Sequence, residues 1–119
     1  NDRARTAGLK NVACQQRDVM ERGFGLPTGS VDAVLLFNIL HCEEPVRLLK
    51  EAARAMRPTS SVFVIHWRYD PSTPRGPRME IRPRPEQIRD WAECAGLHSI
   101  ATEATDLPPY HFGFVFRKE

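Results

Sequence analysis

Residues Val31–Phe37 read Val-Asp-Ala-Val-Leu-Leu-Phe, a nearly continuous apolar run in which only Asp32 is charged. This pattern predicts a strand buried on both faces, as in a parallel sheet covered by helices. Asp32 is expected near the start of the strand. Pro45 then marks a helix start, because its fixed φ suits the first helical position. After it, Val46, Leu49, Ala53 and Met56 recur at steps of three and four, which predicts one apolar helix stripe. Arg54 and Arg57 suit the C-terminal end of the helix dipole, and Pro58 is expected to stop the helix. Ser61–Trp67 (Ser-Val-Phe-Val-Ile-His-Trp) reads as a second buried strand. Strand, helix and strand in this order predict a sheet with a helical crossover.

The flanking sequence extends the pattern. Asp2–Ala7 reads as the end of a helix stopped by Gly8, so the chain is expected to open at Asn1 in mid-helix. Asn11–Arg17 reads as a strand with Val12 and Cys14 on one face, and residues 18–29 as a loop with three glycines and Pro27. Arg68–Arg84 is proline-rich and has no apolar period, which predicts a long loop of the kind that carries function or mobility. Pro85 starts a further helix with Ile88, Trp91, Ala92 and Ala95 on one face and Gly96 at its end. His98–Ala104 is a more polar strand suited to a sheet edge. Leu107-Pro-Pro109 turns the chain. Tyr110, Phe112, Phe114 and Phe116 then alternate with His111, Gly113, Val115 and Arg117, the period of a strand antiparallel to the one before it. The expected architecture is α/β, with a mostly parallel sheet and one C-terminal antiparallel strand.

Composition sets the outer bounds. A length of 119 residues, 41% apolar and 27% charged, fits one soluble globular domain over residues 1–119. No apolar run approaches a membrane span, and the charged start, Asn-Asp-Arg-Ala-Arg, lacks the apolar core of a secretory signal. A net charge of +2 does not argue for nucleic acid or membrane partners. Fourteen of the 17 basic residues are Arg, however, and six of them lie between Arg68 and Arg89 against Asp70, Glu80 and Glu86. Arg grips carboxylates and phosphates bidentately, so this stretch reads either as an anion-facing loop or as a solvated loop with local ion pairs. Its aromatics are not spaced as a stacking platform for bases. Cys14, Cys42 and Cys94 show no metal-ligand spacing, so no metal site is expected. Three scattered thiols fit a reducing, cytoplasmic setting. Cys14 and Cys94 are expected to pack as small hydrophobes. Cys42, beside His41, reads as packed or as close to chemistry.

Several segments, taken in order, resemble one family. They are Ala7-Gly-Leu-Lys-Asn-Val12, Arg17-Asp-Val-Met20, Leu26-Pro27, Ser30-Val-Asp-Ala-Val34, Asn38-Ile-Leu-His41 and Leu49-Lys-Glu-Ala-Ala-Arg-Ala-Met-Arg-Pro58. Their order and spacing are similar to the part of a class I S-adenosylmethionine-dependent methyltransferase after its second strand, most closely the type 11 group. The resemblance implies a partial Rossmann-like methyltransferase fold and transfer of a methyl group to a small-molecule acceptor. It also implies S-adenosyl-L-methionine as the cofactor. It places Asp18 and Val19 on the adenine, with Met20 against the ring, and Phe37 and Asn38 beside the methionine portion and methyl group. The Gly-rich turn and the ribose-binding acid of the family do not occur in this sequence, and Thr59-Ser60 replaces the usual Gly-Gly after Pro58. A truncated domain, weak or inactive by itself, is therefore expected.

The residue types allow a second reading at each position. Asp18 also suits a helix cap or Asx turn. The histidine side chain in general suits a base near neutral pH, so His41 is the candidate catalytic base, and it equally suits a packed or capping role ahead of Pro45. His66, Arg68, Arg75, Arg82, Tyr110 and His111 fall at the same sheet edge and are the candidates for substrate binding, with the Arg side chains matched to an anionic group. For the chain as a whole, the alternative to an enzyme is a non-catalytic α/β module that assembles with copies of itself through exposed sheet edges.

Overall fold

The computed structural model describes residues 2–118. Asn1, expected in mid-helix, lies outside them; the helix α1, Asp2–Thr6, is present and Gly8 follows it at φ +72°. The central unit forms as the apolar pattern predicts. Strand β1, Val31–Phe37, pairs in parallel with β2, Met56–Trp67, through the helix α3, Pro45–Ala55. The buried stripe of α3 is Leu48, Leu49, Ala52 and Ala55, with Ala53 packed at its margin. This is the predicted stripe turned slightly about the helix axis. The helix ends at Ala55 rather than at Pro58, because Met56 is already extended at φ −80° and ψ 145°.

The turn expected at Pro58 survives as a bulge at the start of β2. The ladder steps from Val31 opposite Met56 to Ala33 opposite Ser61, so residues 57–60 loop out. Asp32 pairs with Arg57 across this bulge. Thr59 is left-handed at φ +64°.

Helix α4, Pro85–Cys94, leads through Gly96 to β3, Leu97–Ser99, then β4, Thr105–Leu107, and β5, His111–Lys118. The sheet order is β1-β2-β5-β3, with β4 also paired to β5. Strand β3 is an edge strand antiparallel to β5, as expected, although it is only three residues long. Strand β4 was not expected: the polar stretch Thr105-Asp-Leu107 finds its pairing only because β5 passes beside it.

Among the described residues only β1 and β2 pair in parallel, while the β2, β3 and β4 pairings with β5 are antiparallel. The sheet is therefore mixed, not mostly parallel. The cause is Asn11–Arg17, which is irregular and exposed and joins no ladder. A strand requires a hydrogen-bonding neighbour, and this segment has none. Val12 is left 48% exposed, and β1 forms an edge of the sheet. Cys14 and Cys94 are exposed as well, not packed; Cys42 does pack against the core.

The core lies on one face of the sheet. Leu36, Val62, Val64, Phe112, Phe114 and Phe116 meet Leu48, Leu49, Ala52, Ile88 and Ala92 from α3 and α4, together with Leu97. On the other face, register aligns Leu35, Phe63 and Val115, and beside them Phe37, Ile65 and Gly113. Leu35 and Phe37 are 60% and 48% exposed, so the two-sided burial expected of β1 is realised on one side only. Leu107 of β4 shields part of this face. It lies over Gly113, where a Cβ would come within 3.0 Å of Leu107 Cδ1 and of the Val64 carbonyl oxygen. Among the described residues no helix is long and apolar enough to cross a membrane.

Candidate active site

Ligands of open α/β sheets bind beyond the carboxyl ends of the parallel strands, and β1 and β2 end side by side. Beyond β1, Asn38 is left-handed at φ +55° and donates its N–H to the Ile65 carbonyl at 2.7 Å. Its side-chain Oδ1 is buried without a hydrogen-bond partner. Leu40, fully buried, anchors the turn that follows and carries His41 past the end of β2. There the His41 ring meets His66 at a centroid distance of 5.5 Å, edge to face, with His41 Nδ1 and His66 Nε2 3.4 Å apart. His66 is completely buried. Burial is the main cause that pushes its pKa down to about 4, and electrostatic interactions with His41, Arg82 and His111 act in the same direction.

The long loop after β2 is organised by one side chain. Arg82 is only 6% exposed. Its guanidinium donates to the carbonyl oxygens of Arg68 (3.0 Å), Asp70 (3.2 Å) and Pro77 (2.6 Å), and to Thr73 Oγ1 (2.7 Å). The loop closes tightly on this group. A Cβ on Gly76, at φ +115°, would lie 2.7 Å from Arg82 Nη2 and 3.0 Å from the Trp67 ring. Asp70 is held below the usual carboxyl range, chiefly by hydrogen bonds from Ser72 and further by Arg68 and Arg82. Arg82 is therefore a brace of the loop, its donors engaged by carbonyl oxygens and Thr73, and it also borders the cleft that opens beside it.

A cleft of about 650 Å³ opens between the β1–α3 turn, this loop and α4. His41 and Cys42 form one wall. Tyr69, Arg78, Arg84 and Trp91 are prominent on the others. Arg84 lies over the Tyr69 ring at 4.0 Å, a cation–π contact. Burial raises the Cys42 pKa, so the thiol is held protonated.

The residues singled out from the sequence distribute unevenly around this cleft. His41 borders it directly. His66 is sealed behind His41 and cannot touch a substrate. Arg68 is engaged by Asp106 and the His111 carbonyl. Arg75 is exposed and does not line the cleft. Tyr110 and His111 gather on Trp67, with ring centroids 6.4 Å and 4.2 Å away, and also lie outside it. Phe37 points to the opposite, open face of the sheet. Asp18 caps the short helix α2, Val19–Arg22, accepting from the N–H groups of Met20 and Glu21 through Oδ1. Val19 and Met20 pack on the core and line a smaller hollow against α3, apart from the His41 cleft. Sequence reasoning missed Tyr69, Arg78, Arg84 and Trp91. The available signal was the position of Arg84 immediately before Pro85, at the helix start that faces the sheet edge. Among the described residues no group of three His, Cys, Asp or Glu side chains is placed to hold a metal ion.

Comparison with known proteins places this geometry. The family model of the type 11 methyltransferases, described as a methyltransferase domain, matches residues 1–64. The chain belongs to this family. No curated protein matches it at a significant level. Among solved structures, a SAM-dependent methyltransferase from Aquifex aeolicus is similar over 99% of this chain and 61% of its own, at 24% identity and a TM-score of 0.85. A putative type 11 methyltransferase from Sulfolobus solfataricus is similar over 80% of this chain and 54% of its own, at 28% identity and a TM-score of 0.65. The trans-methyltransferase CalH, solved with SAH, is 20% identical over 99% of this chain and 39% of its own, at a TM-score of 0.71. The methyltransferase domain described here thus spans 61% and 54% of the first two chains. Its fold is the Rossmann-like methyltransferase fold in part.

Proposed function

We propose that the chain is part of an S-adenosylmethionine-dependent methyltransferase acting on a small molecule, and that residues 1–119 are one methyltransferase domain. The reading is carried by the buried, unpartnered Oδ1 of Asn38 at the carboxyl end of β1. A buried acceptor without a donor costs about 1–3 kcal/mol, and an ammonium group bound there would satisfy it. The methionine portion of S-adenosylmethionine carries such a group. Asp18 fits the adenine side in part: Oδ1 is used in capping, while Oδ2 accepts no bond and remains open to a donor. Bound cofactor would supply a methyl group activated by a positive sulfur.

The chain's own residues would then position an acceptor and take its proton. The cleft aligns the acceptor and limits water, which matter most for an in-line displacement. Arg78 and Arg84 line it and are exposed, which favours an acceptor with a carboxylate or similar anionic group. Tyr69 and Trp91 offer apolar faces to the rest of the molecule. His41 borders the cleft and would serve as the base. The natural protein is expected to bind S-adenosylhomocysteine in isothermal titration. Asn38→Ala should weaken that binding by about tenfold, the loss of one charge-assisted hydrogen bond. Absence of binding by the full natural protein would overturn the reading.

A second reading is favoured by the open sheet face around Leu35, Phe37 and Phe63: a module that assembles with copies of itself. It predicts self-association without cofactor binding.

A further inference from the structure

We propose that His66 is a positioning residue that fixes His41 as the Nδ1–H tautomer and leaves the His41 Nε2 lone pair free to act. The inference rests on the reading of His41 as the base. It starts from a group that can only accept. His66 Nδ1 lies 3.2 Å from the carbonyl oxygen of Trp67. A carbonyl has no proton to give, so His66 Nδ1 carries the hydrogen. A neutral ring with its proton on Nδ1 has a bare Nε2, which accepts. The atom opposite that Nε2 is His41 Nδ1, at 3.4 Å. His41 must therefore donate from Nδ1. Its remaining nitrogen, Nε2, is then the unprotonated one, and it makes no other hydrogen bond in the structure.

Three features make His66 suited to this role. It is fully buried, so water does not compete for its Nε2. It is boxed by the rings of His41 and Phe112, the latter at 6.3 Å, which restrict its rotation. It also stays neutral, because burial above all, with the Arg82 guanidinium nearby, disfavours a second proton. When His41 takes a proton from an acceptor on Nε2, the charged ring still donates from Nδ1 to His66. The acceptor's X–H bond breaks, the new N–H bond forms on His41, and the electron pair left on X is the nucleophile. His66 thus holds the base as a carboxylate would in a triad, without adding a charge.

The test is the nitrogen spectrum of the full natural protein labelled with 15N-histidine at neutral pH. His41 is expected to show a protonated Nδ1 and a bare Nε2, and His66 the same. His66→Phe should switch His41 to the Nε2–H form that free imidazole side chains prefer, and His66→Gln, whose amide oxygen can accept, should restore the Nδ1–H form. A wild-type spectrum with the proton on His41 Nε2 would overturn the proposal even if neither variant folds. So would an unchanged His41 tautomer in a folded His66→Phe protein. These signals are read without turnover, so failure of the tautomer assignment and failure to bind S-adenosylhomocysteine are separate results.

Discussion

At the scale of single residues, His66 also has a thermodynamic consequence. A histidine at pKa about 4 in the folded chain and near 6.5 in the unfolded chain binds fewer protons when folded. Stability therefore rises with pH wherever only the unfolded state takes the proton. The contribution is intact above pH 6.5, is lost as pH drops from about 6.5 to about 4, and changes no further below that. The full loss is about 3 kcal/mol at the linkage rate of 1.36 kcal/mol per pKa unit. Urea unfolding of the wild type at pH 7 and pH 4.5 should show this drop. In His66→Phe the drop should shrink, while the stability at pH 7 is lower because the Trp67 carbonyl and His41 lose their partner. An equal drop in both proteins would show that other groups carry the acid sensitivity.

At the scale of elements, the bulge at the start of β2 concentrates strain in one residue. Thr59 is β-branched and sits at φ +64°, where an L side chain costs about 1–2 kcal/mol relative to glycine. Its hydroxyl donates to the Pro58 carbonyl at 2.6 Å, an exposed contact that water can replace. Thr59→Gly is expected to raise stability by about 1 kcal/mol, after the entropy that glycine adds to the unfolded chain. Thermal unfolding followed by circular dichroism would read this as a rise of a few degrees. A fall would mean that the hydroxyl bond outweighs the backbone strain. The elements also show what a sequence reveals and what it hides. The β1–α3–β2 unit was legible because its apolar runs and Pro45 are local signals with local causes. The phenylalanine alternation of β5 was legible for the same reason. The fate of Asn11–Arg17 was not, because a strand depends on a partner that its own residues do not specify. Strand β4 was hidden by the same logic in reverse: its partner makes it. The position of Asn38 and His41 just beyond β1 followed from the apolar run that precedes them. The bracing role of Arg82 was not separable from an anion-binding one, because a guanidinium satisfied by carbonyl oxygens looks identical in sequence to one awaiting an anion. Loop–core ties were invisible too. Glu51 of α3 accepts from the Phe24 N–H and from Arg54, and its carboxyl is held at about 2, by Arg54 above all.

At the scale of the molecule, the sheet has one sealed face and one open face, and the open face is where its association behaviour is decided. Leu35 and Phe63 are neighbours across the β1–β2 ladder, and Val115 continues the row on β5. Phe37 and Ile65 form the next row. Side chains aligned by register make a continuous patch, unlike scattered surface hydrophobes, and such patches drive association. Strand β1 adds an unpaired backbone edge beside the patch. The chain of residues 1–119 is therefore expected to show concentration-dependent association in sedimentation velocity. Replacing Leu35→Lys and Phe63→Lys together would set two like charges opposite each other in the middle of the patch and should return the chain to a monomer. Both side chains are already well exposed, at 60% and 38%, so folding should be little affected. Retained His41 and His66 nitrogen signals would show that the core-facing site is undisturbed. A wild-type chain that stays monomeric at high concentration would mean that β4 shields the face sufficiently. Association that persists in the double variant would move the contact from the patch to the β1 edge.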